Sequence, residues 1–260
     1  MQIKPKKRLG QNFLLDGNIR RKIIAACGFK NTDIAVELGA GRGELTGLIA
    51  ERAKKVFALE IDPHLCEIAR EALKKFRNVE IINADILRVD FRKFFKGSKG
   101  KVIGNIPYYI SSPIIQRLLE FRDNITQAFV TVQKEFARRM TALCGCKDYG
   151  SFSCFVQYYA EAKSMFNIKK SCFFPAPKVD SSLVRLTMRK EPAVCVKDEK
   201  LFFQIIRGAF NKRRKTLKNS LEGILPRSKL EEYFGRYSID PRIRPEELTL
   251  QDFANIQKNY

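Results

Sequence analysis

Asn105-Ile106-Pro107-Tyr108 brings an amide, a stiff proline turn and an aromatic ring together within four residues. This grouping suits an aromatic exocyclic amine, a poor nucleophile because its lone pair is delocalised into the ring. If the Asn105 side-chain oxygen and the carbonyl of residue 106 or 107 accept both amine hydrogens, the nitrogen is drawn toward a pyramidal form with an available lone pair. Tyr108 then supplies a face on which an extruded base can stack. Gly39-Ala40-Gly41-Arg42-Gly43 does different work. Its glycines let the backbone turn sharply and approach a ligand without Cβ clashes. The spacing is neither the dinucleotide G-x-G-x-x-G nor a phosphate-gripping loop ending in Lys-Ser/Thr. A ligand without a pyrophosphate fits better, such as S-adenosylmethionine.

Two carboxylates extend that reading. Glu60 ends an apolar stretch 21 positions after Gly39, where an acid can accept hydrogen bonds from ribose hydroxyls. Asp85 stands just past the next apolar stretch, where it can accept from an adenine amino group. In Phe173-Phe174-Pro175-Ala176-Pro177-Lys178-Val179-Asp180-Ser181 two prolines stiffen a loop. Phe173 or Phe174 offers the second wall of a base pocket there, with Phe173 assigned to the site; a plain structural loop is the competing reading. His64 is the only histidine, so neither a histidine triad nor a multi-histidine metal centre can be built. It follows Asp62-Pro63, a helix-start signature, and reads as a surface residue. The seven cysteines include one close pair, Cys144-Gly145-Cys146, which suits neither a disulfide framework nor a zinc site. No metal is expected.

The elements that must position these residues alternate. Apolar runs at Ile34–Leu38, Lys55–Ile61, Val79–Asn83, Val102–Gly104 and Gln127–Gln133 read as strands. Helical patterns at Pro63–Lys75 and Pro113–Phe121 lie between them. The rhythm predicts βαβ units and a mostly parallel α/β sheet with helices on both faces. In such a sheet the strand ends carrying Gly39, Glu60, Asp85 and Asn105 converge on one crevice. Lys163–Ile168 and Ser182–Arg189 read as two further strands, paired antiparallel at one edge. Past Arg189-Lys190-Glu191-Pro192 only helical periodicity remains, as in Leu201, Phe202, Ile205, Ile206 and Ala209. The expected domains are therefore 1–190, with a basic arm at 1–15, and a small helical domain at 191–260.

Charge points to the partner. Lys plus Arg is 49 against 28 Asp plus Glu, a formal net charge of +21, so the 260-residue chain draws in polyanions, nucleic acid first. Lys4, Lys6, Lys7 and Arg8 form a basic arm, and Asn211-Lys212-Arg213-Arg214-Lys215 a basic helix segment, both suited to phosphate contact. No apolar run approaches the roughly 18 residues of a membrane span. Met1 to Gly10 is basic with no apolar region behind it, unlike a secretory signal. A cytoplasmic protein with no membrane partner is expected.

Taken together these motifs resemble the ribosomal RNA adenine dimethyltransferases that act on the small subunit. The resemblance runs nearly end to end, from Gly10-Gln11-Asn12-Phe13-Leu14 through Val36–Gly43, Asn105–Pro113, Val132–Glu135 and Lys147–Gly150 to Phe173–Ser181 and Asn211–Leu217. It implies a class I methyltransferase (Rossmann-like) fold with a small all-helical, rRNA-binding C-terminal domain. By the same resemblance Asn12 and Leu14 cover the cofactor, Gly39 and Gly41 contact it, Glu60 holds the ribose and Asp85 the adenine. Asn105 lies between cofactor and target amine, with Tyr108 and Phe173 beside the base. The implied reaction uses S-adenosylmethionine to dimethylate N6 of two adjacent adenosines in the 3′-terminal hairpin loop of small-subunit rRNA, within the immature small ribosomal subunit. A monomer is expected. The alternatives are a large-subunit rRNA adenine dimethyltransferase of the antibiotic-resistance type and a non-catalytic RNA-binding factor on the same fold. Tyr109 stands where many of the family carry Asn, and Ala176 where a proline is frequent.

Overall fold

The computed structural model describes residue 6, residues 9–211 and residues 215–258. Of the basic segments, Lys4, Lys7, Arg8, Lys212, Arg213 and Arg214 lie outside the described residues.

A two-residue strand, β1 (Phe13–Leu14), leads into α1 (Gly17–Cys27), which is capped by the Asp16 carboxylate accepting from Asn18 and Ile19 N–H. The alternating stretch follows as β2 (Ile34–Leu38), α2 (Glu44–Ala50), β3 (Lys55–Glu60), α3 (Pro63–Leu73), β4 (Val79–Asn83), α4 (Arg92–Phe95), β5 (Gly100–Asn105), α5 (Ser111–Glu120) and β6 (Ile125–Gln133). Next come α6 (Lys134–Thr141), α7 (Ser151–Tyr159), β7 (Ala160–Ile168), the two-residue β8 (Phe173–Phe174) and β9 (Ser181–Met188). Four helices follow: α8 (Glu199–Asn211), α9 (Leu217–Ser220), α10 (Arg227–Tyr237) and α11 (Leu250–Lys258).

Seven strands form one sheet in the order β4-β3-β2-β5-β6-β9-β7. The pairs β4–β3, β3–β2, β2–β5 and β5–β6 are parallel and β6–β9 is antiparallel. This is the mostly parallel α/β sheet that the strand–helix rhythm predicts. The chain steps outward from β2 to β4, then returns to β5 on the other flank of β2. The strand order therefore reverses between β2 and β5, where open α/β sheets leave a crevice beyond their carboxyl ends. Both faces are covered. Ala35, Val56, Ile103 and Phe129 share a buried apolar cluster with Ile23, Ile24 and Ile49 of α1 and α2. Phe57, adjacent to Val56 and so pointing the other way, packs on Phe94 of α4 at 5.0 Å between ring centroids.

One pairing has no signature in the sequence. β1 and β8 form a separate two-stranded antiparallel sheet with Phe13 opposite Phe174 and Leu14 opposite Phe173. The Leu15 N–H extends the join by donating to the Cys172 carbonyl at 2.8 Å.

The chain divides into two compact units. Met1–Ala137 with Glu161–Met188 makes the sheet unit, and Arg138–Ala160 with Arg189–Tyr260 makes the other. Arg138–Ala160, inside the span 1–190 that reads as one domain, thus groups with the later helices. In that second unit Tyr158 and Tyr159 of α7 pack on Phe203 of α8, at 5.1 and 5.8 Å between centroids. Both tyrosine hydroxyls donate to the Glu199 carboxylate. Among the described residues no helix is long and apolar enough to cross a membrane. Nor do three His, Cys, Asp or Glu side chains gather there as metal ligands would.

Candidate active site

The glycine loop after β2 is tied to the end of β3 by its backbone. Gly39 and Ala40 N–H both donate to the Leu59 carbonyl at 2.9 Å. Gly41 (φ 57°) then points its N–H at Glu60, whose Oε2 accepts at 2.9 Å. Gly43 (φ 85°) cannot be replaced without strain, because a Cβ there would sit 2.8 Å from Leu73 Cδ1. Glu60 is buried, and its Oε1 accepts from Asp62 N–H at 3.0 Å. Burial pushes the Glu60 carboxyl above its ordinary range, against the pull of the Asp62 and Gly41 N–H groups. Asp62 caps α3 through His64 N–H, and its other oxygen meets Lys6 Nζ at 2.7 Å.

Asp85 faces the same crevice from the end of β4, its Oδ1 accepting from Leu87 N–H at 3.0 Å. Ile61, directly after Glu60, is 47% exposed and part of the crevice wall. The sequence reading passed over Ile61, although an apolar residue directly after a strand-end acid was the available signal.

Asn105 ends β5. Its Nδ2 donates to the Asn12 carbonyl at 2.7 Å, and a carbonyl can only accept, so this contact fixes which end of the amide is which. Asn105 Oδ1 is left as the acceptor for whatever enters. Tyr108 Oη and Ser181 Oγ are 2.6 Å apart, which anchors the ring to the last residue of the proline-rich stretch. Burial raises the Tyr108 pKa, keeping the phenol neutral. Asn12, Leu14, Gly39, Gly41, Glu60, Asp85, Asn105 and Tyr108 all line one crevice of about 1190 Å³, open mouth included.

Residues 2–260 match the family described as Ribosomal RNA adenine dimethylase. The chain belongs to that family. It is 45% identical over 260 residues to ribosomal RNA small subunit methyltransferase A of Caldanaerobacter subterraneus subsp. tengcongensis, covering 98% of this chain and 96% of the relative. A dimethyladenosine transferase from Plasmodium falciparum is similar in structure, with a TM-score of 0.82 at 27% identity over 94% of this chain and 95% of the other. The 23S rRNA methyltransferase ErmE gives a TM-score of 0.76 at 27% identity over 95% and 98%.

For this rRNA adenine dimethylase one expected site residue needs correction. Phe173 does not line the crevice; it is 4% exposed and belongs to the apolar cluster under α1 and α2. Its neighbour Phe174, opposite Phe13, is 53% exposed. Successive strand residues face opposite ways, and only the pairing with β1 decides which ring goes inward.

Glu37 is a residue of this dimethylase that sequence reading counted as ordinary strand. It is 1% exposed, and Thr46 Oγ1 donates to its Oε2 at 2.5 Å. Burial lifts its pKa to about 8, with Thr46 pulling the other way. Below the unfolded value of 4.5 both states hold the proton. Between 4.5 and about 8 only the folded state keeps it, so stability falls as pH rises through that window. Glu37→Gln is expected to remove most of this decline. Thermal melts at pH 5 and pH 8 should show a gap on the order of several degrees for the wild type and a smaller one for the variant.

Proposed function

We propose that this enzyme uses S-adenosylmethionine to dimethylate N6 of two adjacent adenosines in the 3′-terminal hairpin loop of small-subunit rRNA. The orientation of Asn105 carries the reading: its amide nitrogen is engaged by the arm, so its oxygen is presented to an amine. The donor set along the crevice suits the cofactor. Glu60 offers acceptors for ribose hydroxyls, Asp85 an acceptor for the adenine amine, and Ile61 an apolar face in the same crevice. Gly39, with φ 83° and no side chain, lets the amino-acid end come close, while Gly41 shapes the loop and Asn12 and Leu14 cover it. When bound, S-adenosylmethionine supplies a methyl group already activated by its sulfonium charge, so the chain contributes position rather than a base. Asn105 Oδ1 takes one amine hydrogen. The Pro107 carbonyl already accepts from Ile110 N–H and Ser111 Oγ, which leaves the Ile106 carbonyl for the second. Tyr108 stacks on the base, and water takes the surplus proton. Phe174, outside the crevice lining like Phe173 but exposed beside the arm, is the ring of that pair accessible to an incoming base.

The small subunit is the substrate favoured by near-full-length identity of 45% to a protein named for it, against 27% to the large-subunit enzyme. The helical unit, together with the basic arm, grips rRNA phosphates in this reading. The protein acts as a cytoplasmic monomer with no metal. Primer extension on both rRNAs tests the assignment, because dimethyladenosine stops the reverse transcriptase. Incubation with S-adenosylmethionine and undermethylated ribosomes should create stops at the paired adenosines of the small subunit. Stops confined to the large subunit would overturn it.

A further inference from the structure

Two adjacent adenosines pose a problem that one base pocket does not solve. While the first occupies the crevice beside Asn105 and Tyr108, its neighbour is one phosphodiester away and has lost its own stacking partner. Unstacking costs a few kcal/mol, so a surface that replaces the lost stack lowers the cost of binding.

The lip of the crevice offers such a surface at Tyr109. The residue lines the crevice, yet it is 61% exposed, among the largest exposures of any large apolar residue among the described residues. The ring also touches the arm. It lies against Gly10 of the arm, where a Cβ would be 2.9 Å from both Tyr109 Cδ1 and Cε1 and 3.4 Å from Pro107 Cβ. Gly10 adopts φ 59°, a conformation that favours glycine, and its missing side chain lets the arm come up to the Cδ1–Cε1 edge of the ring. One edge of the ring thus meets the arm, and most of the residue is open to solvent. The two consecutive tyrosines are placed differently. Tyr108 is partly buried and tethered through its hydroxyl to Ser181, whereas Tyr109 stands outside it on the 3₁₀ turn Tyr108–Ile110. An exposed aromatic face at this position suits a neutral base better than a phosphate.

We propose that Tyr109 is the stacking platform for the nucleobase next to the target adenosine, and that it sets affinity for rRNA and access to the second methylation site. This inference rests on the functional reading above.

Tyr109→Leu keeps an apolar side chain against Gly10 but removes the π-face; Tyr109→Phe keeps the face and removes only the hydroxyl. With undermethylated small subunits as substrate, Tyr109→Leu should raise KM about 10-fold, the effect of losing one base stack. It should also increase the share of rRNA carrying a single dimethylated adenosine, read by mass spectrometry. Tyr109→Phe should restore both. S-adenosylhomocysteine affinity, measured by calorimetry, should be the same in all three proteins. Wild-type KM and product ratio in Tyr109→Leu would overturn the proposal. A parallel fall in S-adenosylhomocysteine affinity would also overturn it, by showing that the ring acts only through the arm. If the wild type methylates no small subunit, the functional reading itself fails, and this inference with it.

Discussion

Asn105→Ala is expected to lower adenosine methylation on the order of 10²–10³-fold, the usual cost of deleting one preorganised hydrogen-bonding group at a reacting centre. Binding of S-adenosylhomocysteine should stay within a few-fold. The asymmetry follows from geometry: Asn105 Nδ2 is spent on the Asn12 carbonyl at 2.7 Å, and only Oδ1 is available to the target amine. Asn105→Asp tests the same contact from the other side. It keeps an acceptor for the amine but sets a carboxylate against the Asn12 carbonyl, so the arm should loosen and cofactor affinity should fall. Calorimetry together with mass spectrometry of the rRNA separates the two effects. An alanine variant that methylates at the wild-type rate would remove Asn105 from the mechanism.

Glu60→Gln should weaken S-adenosylhomocysteine binding by roughly 10–100-fold, the range expected when a buried donor loses its acceptor. The carboxylate oxygens each accept a backbone N–H, from Gly41 at 2.9 Å and from Asp62 at 3.0 Å. Glutamine has one oxygen, so its amide nitrogen must oppose one of those N–H groups and the glycine loop loses its anchor. The fold should survive, because burial at this position already disfavours the charged form. Circular dichroism would report intact structure while calorimetry reports the loss. Undiminished affinity would separate Glu60 from the ribose.

The strands that build the crevice were legible because each is a short apolar run ended by glycine, asparagine or an acid. The acids themselves mark the strand ends. Glu60 and Asp85 fell where a doubly wound sheet needs them, and Asn105 closed the last of the four. The inward ring of Phe173-Phe174 was not legible, since a two-residue strand has no periodicity and its facing depends on β1, far away in the chain. Glu37 was hidden for a related reason: in Ile34-Ala35-Val36-Glu37-Leu38 an acid interrupts an otherwise apolar run, and the Thr46 hydroxyl that holds it lies in the next helix. The helices α6 and α7 have no counterpart in the elements read from the sequence, and neither does the grouping of 138–160 with the later helices.

The contacts of the arm also impose an order in time. Phe13 and Leu14 emerge from the translating ribosome early, but their strand partners Phe174 and Phe173 are about 160 residues behind. At roughly 5–20 residues per second, the gap lasts on the order of 10–30 seconds. Throughout that interval the first-made segment has no ladder to join. The arm's seat beside the crevice is therefore completed only once the proline-rich stretch has been synthesised.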